Sequence, residues 1–474
     1  MITPPVNWGN PERPALVSED GSVLTYGQLQ KDVRFLAQKL VSRKLIFLLG
    51  RNDSTTIIAY LACLESGTVP LLLDPEISPE SLNRLIEIYQ PFYIFSPKKD
   101  YRLVSKYEVI ELVKDCALHQ KTIPKNFTPH AKLFVLLATS GSTGSQKLVR
   151  LSQNNILSNA RSISEYLRID VKERAITSLP FCYSYGLSVI NSHLYAGASV
   201  VLTNRGLFDP LFWQLIKTHD VTSMAGVPYS YEILMKLRFE RIDLPSLKTM
   251  TQAGGKMANR LTERISEICH SKNIRFYTMY GQTEASPRMA YLPAEYAREK
   301  LGSIGRAIPG GKLWLEDSQG SVISNPNEVG ELIYSGANVA LGYAEKLDDL
   351  QLGDEWQSIL RTGDLARQDT QGFFYIEGRK SRFIKIFGVR FSLDSVEMWF
   401  AERGYIAAAY GSDDHMCVTI ECDQDSVLVE LGPIFSAAIK IHPSALDFSC
   451  LPKIPRLTSG KFDYSFLSDS CSKT

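Results

Sequence analysis

The sequence predicts an α/β fold: a large N-terminal domain of doubly wound sheets with a small β-barrel-like part, followed by a small mobile α+β domain. Three observations carry this reading. Apolar strands and capped helices alternate from Thr25 to about Met279, the pattern of largely parallel sheets covered by helices. After Pro293, short alternating segments such as 312–316 and 331–334 are punctuated by Gly and Asn, as in small antiparallel sheets. Beyond Gly378 the chain has its own helix and strand pattern, and its roughly 95 residues are enough for a small domain. The expected organisation is 1–378 as the N-terminal domain, 379–382 as a hinge and 383–474 as a C-terminal lid.

The elements follow from local chemistry. Thr25 with Gln28 forms a capping box, and Leu29, Val33, Leu36, Ala37 and Leu40 follow at helical spacing. Leu45 to Leu49 reads as a buried strand; Asp53 opens a helix that Gly67 closes, and Val69 to Leu73 is a second buried strand. Ser78-Pro79 and Asp209-Pro210 each start a helix, with Pro where no amide hydrogen is needed. Strands follow at 92–95 and 222–225, and further short β-branched runs fall at 133–138, 199–202, 248–251 and 274–279. Ala175 to Asn204 carries no Asp, Glu, Lys or Arg, but Pro180, Gly186, Gly197 and many hydroxyls argue for strand, loop and helix inside an α/β domain rather than a membrane span.

Composition narrows the partners. The 474 residues are 44% hydrophobic and 22% charged, and 52 Lys and Arg against 51 Asp and Glu leave a net charge of +1. No global field favours nucleic acid or an anionic membrane. The 8 cysteines show no metal-ligand rhythm, since Cys417 and Cys422 lack a second pair to complete a zinc site. The first residues lack the basic and apolar regions of a signal peptide, so a reducing cytoplasm and free thiols are expected.

The segment from Leu136 to Lys147 carries the chemistry. A buried strand runs into Thr139, Ser140, Gly141, Ser142, Thr143 and Gly144, and Lys147 closes the loop. Close backbone amides, hydroxyl donors and one cation are what a polyphosphate needs. The Gly-Lys-Ser/Thr ending of a P-loop is absent, which disfavours a P-loop kinase or GTPase. With this loop stand Tyr280-Gly281-Gln282-Thr283-Glu284, Arg361-Thr-Gly-Asp364, Gly378-Arg379 with Lys385, and Pro455-Arg-Leu-Thr-Ser-Gly-Lys461. These five blocks, in this order across nearly the whole chain, resemble the AMP-forming acyl-adenylate superfamily of acyl-CoA synthetases, nonribosomal adenylation domains and luciferases.

The resemblance implies roles. Glu284 would hold Mg2+ on the phosphates of ATP, a hard oxygen ligand for a hard cation, and Thr283 would donate to the α-phosphate. Tyr280 would lie against adenine, with Ala253, Gly254 and Gly255 as a backbone shelf, and Asp364 would accept from both ribose hydroxyls. Arg379 would add positive charge near ribose and phosphate, and Lys461 would neutralise charge on the α-phosphate and the attacking carboxylate. Acyl-AMP and pyrophosphate would form first. The lid would then turn about Ser381 and present the face near Gly388, so that a phosphopantetheine thiol of CoA or an acyl carrier protein attacks the acyl-AMP.

Departures from the pattern bear on the substrate. Tyr183 stands where many CoA ligases have His, and Ser381 where the family usually has Asp or Lys. Gly186 replaces the Asp that anchors the ammonium of α-amino acids, which disfavours an amino acid activator. Tyr183, Tyr185, Met224, Val227 and Met279 would form an apolar, aromatic pocket wall for an aliphatic or otherwise uncharged acyl group. Between Ala408 and Ile441 the lid has few basic residues, which favours a carrier protein over CoA with its charged nucleotide. A stand-alone amino acid adenylation enzyme and a nucleotide-binding pseudoenzyme are the alternatives. The second is disfavoured because Lys147, Glu284, Asp364, Arg379 and Lys461 are all present.

Overall fold

The computed structural model describes residues 4–98, 107–123, 127–138, 147–387, 389–423, 426–439, 441–457 and 460–471. Most of the sequence elements fall where their chemistry puts them. Helix Tyr26–Ala37 has the reciprocal Thr25–Gln28 capping box. Helix Ser54–Ser66 is capped by Asp53 and ended by Gly67 in the left-handed region, φ 77°, which glycine adopts without a Cβ penalty. Helices Pro79–Tyr89 and Pro210–Thr218 begin at the expected prolines. The charge-free stretch is strand Arg174–Ile176, helix Ser184–Tyr195 and strand Ser199–Val201. No described helix is long and apolar enough to cross a membrane.

Two large sheets form the bulk of the molecule. In one, strands Leu45–Leu49, Val69–Leu73, Tyr93–Pro97 and Leu133–Ala138 run parallel at the centre. In the other, Arg174–Ile176, Ser223–Gly226, Thr249–Gln252 and Arg275–Gly281 are parallel neighbours. The antiparallel part expected after Pro293 joins this second sheet through Arg288–Leu292 and Ser303–Ala307. Helix Ser54–Ser66 is buried from Ser54 to Leu64, as a helix apolar on every side must be. It shares one core with Leu187, Ile190 and Leu194 and with strand residues of both sheets.

The C-terminal residues have a core of their own, built on Ile384, Phe400, Val418 and Phe435. A three-stranded sheet, Ala407–Ser412, His415–Glu421 and Leu446–Leu451, carries helices Leu393–Ala401 and Ser426–Ile439. One expectation is corrected here. The cysteines are not all free thiols: Cys422 and Cys450 form a disulfide with a Cα–Cα distance of 5.5 Å. His415–Glu421 and Leu446–Leu451 are parallel neighbours with Ile420 opposite Cys450, so strand register brings together residues 28 apart in sequence.

Candidate active site

The sequence-predicted charged residues converge where the C-terminal residues meet the second sheet. Asp364 and Arg379 are register partners on antiparallel strands Ile359–Gln368 and Phe374–Arg379, which sets Arg379 Nε 3.3 Å from Asp364 Oδ1. Tyr280 and Gln282 both donate to Asp364 Oδ2, the latter at 3.3 Å. Asp364 is 3% exposed, and burial raises its carboxyl pKa against the opposing pull of Arg379 and these donors. Its other oxygen, Oδ1, accepts no hydrogen bond.

Glu284 lies on the turn Thr283–Ala285 directly after strand Arg275–Gly281. Its Oε1 accepts from the Tyr343 hydroxyl at 2.7 Å. The Tyr343 ring lies 5.6 Å beneath the Lys147 ammonium, which pairs with Glu345 at 2.9 Å. The Thr283 hydroxyl is 3.2 Å from that of Ser184. Lys147 and Glu284 are therefore linked through one tyrosine. Thr139, Ser140, Gly141, Ser142, Thr143 and Gly144 lie outside the described residues, as does Gly388.

Lys461 enters from the C-terminal side on a tight turn, with Leu457 N donating to Lys461 O and Gly460 N to Leu457 O, both at 2.8 Å. Gly460 has φ 81°, and a Cβ there would come within 2.9 Å of Val227 Cγ2. Glycine thus permits both the turn and the close approach. Burial first, and then Arg379, lower the Lys461 ammonium pKa to about 8 against the opposing pull of Glu284 and Asp364. Arg456 braces the turn: its guanidinium lies 4.3 Å from the Tyr229 ring and 4.4 Å from Phe462, and 3.6 Å from Glu232. Ser381 lies in the single turn Lys380–Arg382.

Beside this site, between helix Ser184–Tyr195 and the strands carrying Met224, Thr251 and Met279, is a narrow cleft. Tyr185, Met224 and Met279 line it; Tyr183, Gly186 and Val227 do not. A Cβ on Gly186 would stand 2.2 Å from Pro180 O, so this residue packs against backbone. Gly254 has φ 87°, and a Cβ there would meet the Tyr183 hydroxyl at 2.7 Å and Val227 at 3.0 Å. Ala253 is fully buried, and Gly255 accepts from Gln252 Nε2 at 2.9 Å. Glycine at 254 thus lets Tyr183 and Val227 approach this backbone closely.

The sequence reading passed over Tyr343, Arg456 and Arg288. Arg288 had a signal: a lone charge in the apolar run 287–292. The other two are contacts across long sequence separations. In the C-terminal sheet, His415, Cys417 and Asp447 bring ligand-type atoms within 4.8 Å of one another, but His415 and Asp447 already share a hydrogen bond of 2.8 Å.

The comparison with known proteins bears on this geometry. The sequence profile described as AMP-binding enzyme matches residues 7–344. The chain belongs to the AMP-binding enzyme family. It is 28% identical over 404 residues to a 2-succinylbenzoate–CoA ligase of Bacillus subtilis (strain 168), covering 81% of this chain and 80% of that protein. An indoleacetate–CoA ligase of Aromatoleum aromaticum (strain DSM 19018 / LMG 30748 / EbN1) is 27% identical, over 76% of this chain and 74% of its own. The fold matches that of O-succinylbenzoate coenzyme A synthetase from Bacillus subtilis in complex with AMP, with a TM-score of 0.79, 24% identity, and coverage of 96% of this chain and 97% of that one. This is the α/β architecture predicted from the sequence.

Proposed function

We propose that the protein activates a carboxylic acid with ATP, forming acyl-AMP and pyrophosphate, and then transfers the acyl group to a phosphopantetheine thiol. The observation that carries this reading is the Asp364–Arg379 pair at 3.3 Å, which together with Glu284 acts electrostatically on the Lys461 ammonium. The Lys461 ammonium would neutralise charge on the α-phosphate and the attacking carboxylate. Arg379 flanks it, and Asp364, whose Oδ1 accepts no hydrogen bond, would accept from ribose hydroxyls. The work is positioning and charge neutralisation rather than proton transfer.

The Glu284 carboxylate suits Mg2+, and Tyr343 fixes its orientation through one oxygen. When bound there, Mg2+ would neutralise phosphate charge. Thr283, Lys147 and the loop 139–144 complete the phosphate contacts, and Tyr280 with Gly254 and Gly255 forms the nucleotide shelf. Residues 379–382 act as the hinge on which 383–474 turns, replacing the Lys461 face by that of Gly388. A cytoplasmic setting suits a consumer of ATP and an acyl acceptor thiol.

The relatives named above are CoA ligases for two different acids, so the family supports an acid–thiol ligase and leaves the acid to be read from the cleft. Ile163, Leu167, Met224, Ala225 and Met279 on its wall support an acyl group with an apolar body. The few basic residues of the C-terminal sheet favour a carrier-protein thiol, with CoA as the other acceptor. The test is pyrophosphate release from purified protein with ATP, Mg2+ and a panel of acids, without acceptor, with CoA, and with a phosphopantetheinylated carrier protein. Acid-dependent release is expected, and the acceptor that raises turnover identifies the second half-reaction. ATP binding without release for any acid would favour the nucleotide-binding pseudoenzyme.

A further inference from the structure

Arg288 opens strand Arg288–Leu292, is 2% exposed and lines the cleft. Its guanidinium carbon lies 4.0 Å from the centre of the Tyr185 ring, and neither Nε nor Nη2 reaches a hydrogen-bond acceptor. Arginine does not shed its proton to relieve burial, so this is a permanent charge with uncommitted donors.

The same chain shows what a structural buried arginine looks like. Arg150, with a fully buried side chain, donates from Nε to Tyr343 O at 2.9 Å, from Nη1 to Gly353 O at 3.1 Å, and from Nη2 to Leu341 O at 3.3 Å and the Glu355 carboxylate. Other polar groups on the cleft wall are likewise committed. Glu173 accepts from Thr222, His193 bonds Val189 O and Ser223 through its two nitrogens, and Ser188 donates to Tyr185 O at 2.7 Å. The Tyr185 hydroxyl is held by Thr251. Arg288 stands apart from these as a charged group on the wall whose fork is unmatched.

We propose that Arg288 is an anion-recognising group of the acyl cleft, and that the acid activated here carries a second carboxylate beyond an apolar body. The proposal rests on the adenylation reading and supplies its substrate class: a dicarboxylic acid, activated at one end and held at the other. Nε and Nη2 together form the side-on fork that pairs with a carboxylate through two parallel hydrogen bonds. Both atoms are buried, and reaching them takes a rotamer change in Arg288, the ordinary scale of side-chain adjustment on binding. The uncharged acyl group suggested by the apolar residues becomes the middle of the substrate.

The experiment compares matched acids of equal length, aliphatic and aryl, ending in a methyl group or in a carboxylate, by ATP-dependent pyrophosphate release. Wild-type protein is expected to favour the diacids. In Arg288→Met, kcat/KM for the preferred diacid should fall about a hundredfold, the scale of losing one partner of a buried charge pair, while the matched monoacid is used as well or better. Arg288→Lys should recover part of the diacid activity. A wild-type preference for monoacids, or an equal loss on both acids in Arg288→Met, would overturn the anion site and leave adenylation standing. Release with no acid of either series would overturn the adenylation reading and this proposal with it.

Discussion

At the residue scale, Lys461 is the most exposed to test. Its ammonium is the useful form, and its pKa is lowered to about 8, first by burial and then by Arg379. Raising pH through that value removes the proton, so kcat/KM for acid-dependent pyrophosphate release should fall above about pH 8. Lys461→Arg, which cannot lose its proton in this range, should lose that alkaline limb even if its rate is lower. Lys461→Ala should cost about 100-fold or more, the usual effect of removing one group aimed at transition-state charge, while nucleotide binding by calorimetry changes little. A Lys461→Ala protein with unchanged turnover would remove the mechanism.

At the element scale, helix Ser184–Tyr195 is fixed by how its first turn meets the loop before it. Gly186 lies within that helix, where replacement of Gly by Ala gains about 1 kcal/mol in helix propensity. A Cβ there would stand 2.2 Å from Pro180 O, and overpacking of this kind costs about 1–3 kcal/mol. The contact should prevail, so Gly186→Ala is expected to lower the denaturant midpoint. A raised midpoint would mean that the Pro180 loop yields. The same contact leaves no room for a side chain at Gly186.

At the scale of the whole molecule, docking of the C-terminal residues depends on a few cross-contacts. Asn259 N donates to Glu402 Oε1 at 2.8 Å, Gly460 packs on Val227, and Arg456 reaches Glu232 and Tyr229. Burial raises the Glu232 carboxyl pKa and Arg456 opposes that rise. Arg456→Met would leave this carboxylate without its counter-charge. If this docking serves only the first half-reaction, Arg456→Met should slow pyrophosphate release about tenfold, on the scale of a weakened ion pair. Thioester formation from supplied acyl-adenylate should change little. Equal slowing of both steps would argue against a turning lid.

Much of the fold was legible because it is written locally. Capping boxes, prolines at first helical turns and glycines at helix ends act within a few residues, and buried strands appear as apolar runs. The edge hairpin 107–113 and 116–121 escaped notice because its strands, YEVIELV and CALHQK, mix charged and apolar residues without a clean alternation. The candidate site residues were singled out because each belongs to a block whose spacing is constrained by one turn or one strand. What the sequence by itself determined was the α/β class and the family. Tertiary structure alone decided that Cys422 meets Cys450, that Tyr343 links Lys147 to Glu284, that Arg456 braces the Lys461 turn, and that Arg288 lies buried with its fork unmatched. Those facts depend on strand register and on the packing of distant segments, and neither is encoded within any short stretch of chain.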